Sequence, residues 1–205
     1  MLKSGITSIH DAGTYGGQYV KVLQDVIDAG EFPVRIYEIF YNVFGKEASR
    51  KWIYDLISTG LHTGLGNEHF KVGSAKILLD GSTSGPSCAT REPYSHDPEL
   101  KGILNWKQEE VNQVFSDAAA AGFQVTAHAV GDMAVEQAVN AIEYTLAKVP
   151  KKDHRHRIEH CGLTDETLIK RIKDLGIVPI SNPGFITVNG SDYNRYYGDR
   201  TDYMF

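Results

Sequence analysis

Apolar residues recur along the chain in two alternating rhythms. Val20, Leu23 and Ile27 fall at the spacing of one helical face before Gly30, and the run 33–40, PVRIYEIF, follows as a strand. Trp52, Ile53, Leu56 and Ile57 make a second stripe, which Gly60 ends. Val111, Val114, Phe115 and Ala118 lead to Gly122 and FQVTAH; Leu168, Ile172 and Leu175 lead to Gly176 and IVPIS. Glycine after the last helical turn supplies the left-handed cap that other residues adopt only at a cost. The pattern predicts strands near 5–10, 33–40, 71–79, 123–128, 156–160 and 177–181. Helices are expected near 18–29, 47–59, 107–121, 132–147 and 164–175. Strict β-α alternation implies an α/β fold with a parallel sheet covered by helices, either doubly wound or a (β/α) barrel.

At 205 residues the chain has the length of one domain, 1–205, and its 41% hydrophobic and 23% charged residues are those of a globular protein. Lys and Arg number 21 against 26 Asp and Glu, a net charge of −5 with no basic block. Nucleic acid and anionic membranes are therefore excluded as expected partners. The apolar runs are too short to span a bilayer, and MLKSGITSIHDAG lacks the apolar core of a secretory signal, so a cytoplasmic location is expected. Cys88 and Cys161 are the only cysteines and form no C-x-x-C pair. Any metal would need N and O ligands.

In parallel α/β architectures chemistry gathers beyond the carboxyl ends of the strands. His10 and Asp11 end the first strand, Asp80 the third, His128 the fourth and His160 the fifth. Lys76 lies within the third strand and shares a face with Ser74, Leu78 and Asp80 by the period of two. A buried lysine can snorkel, pair with an acid, or react as a neutral amine. His128 shares a polar face with Gln124 and Thr126. His128 and His160 end neighbouring strands about 5 Å apart, close enough for one metal, although either alone also reads as a structural histidine. Strand parity is expected to turn Lys76, His128 and His160 inward.

The run 154–160, HRHRIEH, begins before its strand, so His154 and His156 are read as a solvated, charged strand start. GTYGG at 13–17 fits neither G-x-G-x-x-G nor the P-loop, and no G-x-S-x-G or H-E-x-x-H occurs. The Gly, Ser and Pro-rich loop at about 80–105 is long enough to read as either a solvated loop or a substrate loop.

AKILLDGSTSG at 75–85, PY at 93–94, GFQVTAHAVGDMAV at 122–135 and RIEHC at 157–161 together resemble the amidohydrolase superfamily. The resemblance is to the amidohydrolase family 3 group, which includes N-substituted formamide deformylases, and it runs from HDAG at 10–13 through YGDR at 197–200. It implies a partial (β/α)8 TIM barrel from an enzyme that, when complete, holds one or two divalent metals, zinc by expectation, with metal weak or absent in this chain. It further implies Lys76 as a carbamylated ligand, His128 and His160 as ligands on the next two strands, and Asp80, Gly81 and His10 at the substrate. The family also uses a His-x-His pair on strand one and a general-base aspartate on strand eight. Neither has a counterpart here, so the expectation is a fragment covering strands two to seven, inactive alone. The implied activity is hydrolysis of carbon-nitrogen bonds in small amide-type substrates. The alternatives are a non-catalytic α/β remnant and a ligand-binding domain. Open edges predict self-association, with the tyrosine-rich tail from Tyr193 as a candidate cover.

Overall fold

The computed structural model describes residues 1–13, 16–42 and 44–205; Thr14 and Tyr15 of GTYGG lie outside them. Contacts cluster into two compact units, Met1–Ile77 with Asp117–Val125 and Leu78–Ser116 with Thr126–Phe205.

The first unit carries β1 (Ser8–Asp11), α1 (Gly17–Asp28), β2 (Arg35–Phe40), α2 (Lys46–Ser58) and nearly all of β3 (Phe70–Leu78). β1 pairs in parallel with β2, Ser8 opposite Arg35 and His10 opposite Tyr37. β2 pairs in parallel with β3, but Glu38 faces Val72 and Phe40 faces Ala75. β3 therefore holds one extra residue between these pairs, a bulge that exchanges its two faces. Beyond it, Ala75 and Ile77 continue the face that Val72 began, and Ser74 and Lys76 lie on the other. Ala75 N–H donates to the Gln124 carbonyl at 2.9 Å.

The second unit begins where β3 ends. Leu79 N–H donates to the His128 carbonyl at 3.0 Å, which places β3 beside β4 (Val125–Ala129). α3 (Gln108–Ala120) precedes β4; α4 (Asp132–Lys148), β5 (Arg157–His160), α5 (Glu166–Leu175), β6 (Val178–Ile180) and α6 (Gly184–Tyr197) follow it. β4 pairs with β5 and β5 with β6, both in parallel. Strand order is the sequence order, β1 to β6. A doubly wound sheet reverses once, so that alternative is excluded.

Gly30, Gly60, Gly122 and Gly176 all have positive φ at the ends of helices, as the punctuation predicts. α5 is also closed at its start, where the Asp165 carboxylate accepts Leu168 N–H at 2.7 Å. The helix that the pattern does not reveal is α6, whose sequence GFITVNGSDYNRYY contains two glycines and the β-branched Ile186, Thr187 and Val188. Tertiary packing overrides that poor propensity. Tyr193 and Tyr197 are buried with Cys88, Tyr94, Val130, Leu163 and Met204. The tyrosine-rich tail thus packs onto the 80–105 loop and the turn after β5. No helix among the described residues is long and apolar enough to cross a membrane.

Candidate functional site

The loop after β3 is anchored by Asp80. Its side chain is fully buried and accepts three backbone N–H groups, from Ala89 at 3.0 Å, Val130 at 3.0 Å and Gly131 at 2.7 Å. Burial pushes its carboxyl up to about 7 against the opposing pull of these amides. One carboxylate thus fixes both the loop and the start of α4. Gly131 is required there, because an added Cβ would meet the Ala89 carbonyl oxygen at 1.9 Å.

His128 follows on β4. Its Nε2 lies 2.7 Å from the Gly81 carbonyl and 3.6 Å from Asp80 Oδ1. A carbonyl only accepts, so Nε2 carries the proton of this bond. Gly81 meets the histidine through its backbone, and Asp80 stands behind the same ring.

His160 reaches this histidine by a route that strand parity does not describe. The β4–β5 register sets His128 opposite Glu159 and Ala129 opposite His160, so regular alternation would send His160 to the other face. Instead His160 and the following Cys161 both have left-handed backbones, φ 70° and 48°, rare for residues with a side chain. The turn brings the two imidazoles to 4.6 Å between ring centroids, edge to face. His160 Nδ1 lies 2.6 Å from Asn182 Oδ1, which orients the ring through that nitrogen. Asn182, in SNPG after β6, was not singled out by the sequence pattern. Cys161 stays a thiol, since burial pushes it up to about 12.

On the same face as His128, Glu159 accepts from Thr126 Oγ1 at 2.8 Å and forms a buried ion pair with Arg157 at 2.6 Å. The reading of HRHRIEH as solvated is therefore corrected. His154 and His156 are both buried, and His154 Nε2 bonds the Leu175 carbonyl at 2.9 Å. The carbonyls left over at the end of α5 attract a ring N–H, which draws this segment out of water. Burial holds His156 down at about 3, a neutral ring.

In the first unit, Lys76 is buried at 6% exposure. Its Nζ donates to the Ala12 carbonyl at 2.9 Å and lies 5.2 Å from the Tyr41 ring. His10 is exposed at the end of β1 and packs on Tyr37, 4.7 Å between centroids. Gln124 joins Tyr37 and Ser74 through its side-chain oxygen, so the polar face expected of β4 continues onto β3 and β2. Among the described residues no three His, Cys, Asp or Glu side chains converge to hold a metal ion.

Residues 1–203 match the family model described as the amidohydrolase family. The Bacillus subtilis protein YtcJ, named as an amidohydrolase, is 29% identical over 187 residues, which are 89% of this chain and 32% of YtcJ. The N-substituted formamide deformylase of Arthrobacter pascens is 24% identical over 132 residues, 64% of this chain and 24% of the deformylase. The chain thus spans a third or less of either relative. A crystal structure of a metal-dependent hydrolase from Pyrococcus furiosus superposes with a TM-score of 0.83 at 23% identity, covering 99% of this chain and 40% of that one. This likeness establishes the fold as a partial (β/α)8 barrel of the metal-dependent hydrolase type.

Proposed function

Because the chain belongs to the amidohydrolase family, we propose that it contributes part of a metal-dependent hydrolase centre for carbon-nitrogen bonds of small amide-type substrates. His128 and His160 are the proposed ligands, with Lys76, carbamylated, as a third. The observation that carries the reading is the left-handed backbone at His160 and Cys161, which spends conformational energy to face one imidazole with another.

The donor set fits a divalent ion of intermediate softness, for which we propose zinc. Two neutral imidazoles, each oriented through its second nitrogen by a carbonyl oxygen, are the form in which histidine binds such ions. When bound, the ion supplies Lewis acidity and a water acidic enough to ionise near neutral pH. Gly81 and Asn182 hold the two rings, and Asp80 keeps the Gly81 turn in register. Lys76 is buried, and burial favours the neutral amine. That amine can add carbon dioxide, lose a proton and become an anionic oxygen ligand. Gly81, through its backbone, and His10 remain the proposed substrate contacts; Asp80, expected at the substrate, is instead fully buried on three backbone amides and acts as the loop's anchor.

Zinc titration followed calorimetrically tests the reading, with elemental analysis after dialysis. Zinc binding, weak because the chain carries only part of the ligand set, should be lost in His160→Ala and in His128→Ala, and retained in His62→Ala. Carbon-13 bicarbonate should give a carbamate resonance that is absent in Lys76→Met. Zinc binding that survives both imidazole substitutions would overturn the assignment. No turnover of N-formyl amines is expected of this chain alone, and robust turnover would overturn its reading as part of a centre.

A further inference from the structure

The turn that follows β6 meets His160 twice. Asn182, Pro183, Gly184 and Phe185 form a β-turn in which Phe185 N–H donates to the Asn182 carbonyl at 2.9 Å. Pro183 holds its second position with φ −59° and ψ −23°, the type I geometry that proline favours. Ile186 N–H then donates to the Pro183 carbonyl at 3.2 Å, and α6 continues from there. One turn thus delivers two side chains to the same imidazole: Asn182 Oδ1 lies 2.6 Å from its Nδ1, and the Phe185 ring stacks on it at 6.1 Å between centroids, the planes 22° apart.

The two contacts restrain different motions. A histidine ring has a broad range of rotation about its Cβ–Cγ bond, and one hydrogen bond at Nδ1 still lets the ring tilt about the line of that bond. A flat neighbour almost parallel to the imidazole resists the tilt. Phe185 is itself held in place. Phe205 meets it edge to face at 5.7 Å and 87°, and Phe205 N–H donates to the Gly162 carbonyl at 3.1 Å, directly after the left-handed pair. The start of α6 and the turn after β5 are therefore tied together around His160.

Phe185 is 40% exposed, so burial in a core does not account for a phenylalanine at this position. On the reading of His160 as a metal ligand, we propose that Phe185 is a positioning residue: it sets the plane of the His160 imidazole, as Asn182 sets its direction, and so holds the ring ready for the ion.

Two measurements on the metal-free full chain test the positioning without zinc: carbon-13 relaxation of the histidine rings, and the nuclear Overhauser cross-peak between the His128 and His160 rings, neither of which involves the phenylalanine itself. Phe185→Ala should lower the order of the His160 ring and weaken the cross-peak, while the urea midpoint stays close to that of the unaltered chain. Zinc binding should weaken roughly five-fold, the worth of one aromatic contact. Phe185→Tyr keeps the flat ring and should restore ring order, cross-peak and zinc affinity, whereas Phe185→Leu, apolar but without a plane, should not; the leucine variant also serves should the alanine variant fail to fold. Ile186→Ala, at the neighbouring position and 45% exposed, should change none of the three. Ring order and cross-peak unchanged in Phe185→Ala, or restored in full by Phe185→Leu, overturns the proposal. So does a loss of hydrogen-exchange protection throughout β5 in Phe185→Ala, which marks a structural role. If Phe185→Ala loosens the ring but the unaltered chain binds no zinc through His160, the positioning stands and the ligand assignment falls.

Discussion

Helices α1 and α4 both present apolar stripes, yet they bury them very differently. α4 fully buries Ala134, Val135, Ala138, Val139, Ala141 and Ile142, and its first turn is tied by the Gly131 and Val130 amides to Asp80. α1 buries no residue fully, and its N-cap, Gly16, has no side chain to cap the helix. Small side chains explain part of the contrast, since alanines let the α4 backbone approach whatever it covers, whereas Val20, Leu23 and Ile27 are bulky. Amphipathic spacing tells which side of a helix turns inward. How closely the helix then seats depends on side-chain volume and on polar anchors at its end.

Removing the anchor should have the largest effect. Asp80→Ala leaves three buried N–H groups unpaired and should cost about 4 kcal/mol, read as a fall in the urea midpoint. The α4 amides should lose hydrogen-exchange protection with it. Next, Ile142→Ala opens a void beneath a fully buried side chain, for about 3 kcal/mol.

A pH titration separates burial from shape. His156 is held neutral down to about 3 although its ordinary value is 6.5, so the unfolded chain binds more protons between those values. Its contribution is complete above 6.5 and shrinks as pH falls, by roughly 2 kcal/mol from pH 6.5 to pH 5. His156→Gln, which cannot be charged, should flatten that slope. The smallest effect belongs to α1, where Leu23→Ala should cost under about 1 kcal/mol. A cost for Leu23→Ala equal to that of Ile142→Ala would erase the contrast between the helices.

The elements were legible because periodicity and glycine caps are local. β2, β3, α2 and α4 begin and end within two residues of the positions that the pattern predicts. α6 was not legible, because Tyr193 and Tyr197 hold it through Cys88 and Tyr94, residues about a hundred positions away. At the candidate site, strand ends marked Lys76, Asp80, His128 and His160, but parity could not describe how His160 turns. That turn is a matter of two backbone dihedrals, which no alternation of residue types encodes. Parity on β3 works from Ser74 onward and fails across the bulge before it. HRHRIEH misleads because charge suggests water, whereas the α5 carbonyls and the Arg157–Glu159 pair satisfy these groups inside.

The left-handed pair at 160 and 161 also sets two selection pressures against each other. Glycine and asparagine adopt that backbone more readily than histidine or cysteine. A library randomised at both codons and sorted only for resistance to proteolysis should therefore drift toward glycine and asparagine. The same library sorted for zinc retention should keep histidine at 160 while freeing 161. The divergence between the two sorted pools would measure, in evolutionary currency, what this chain forgoes in robustness to hold one imidazole in place.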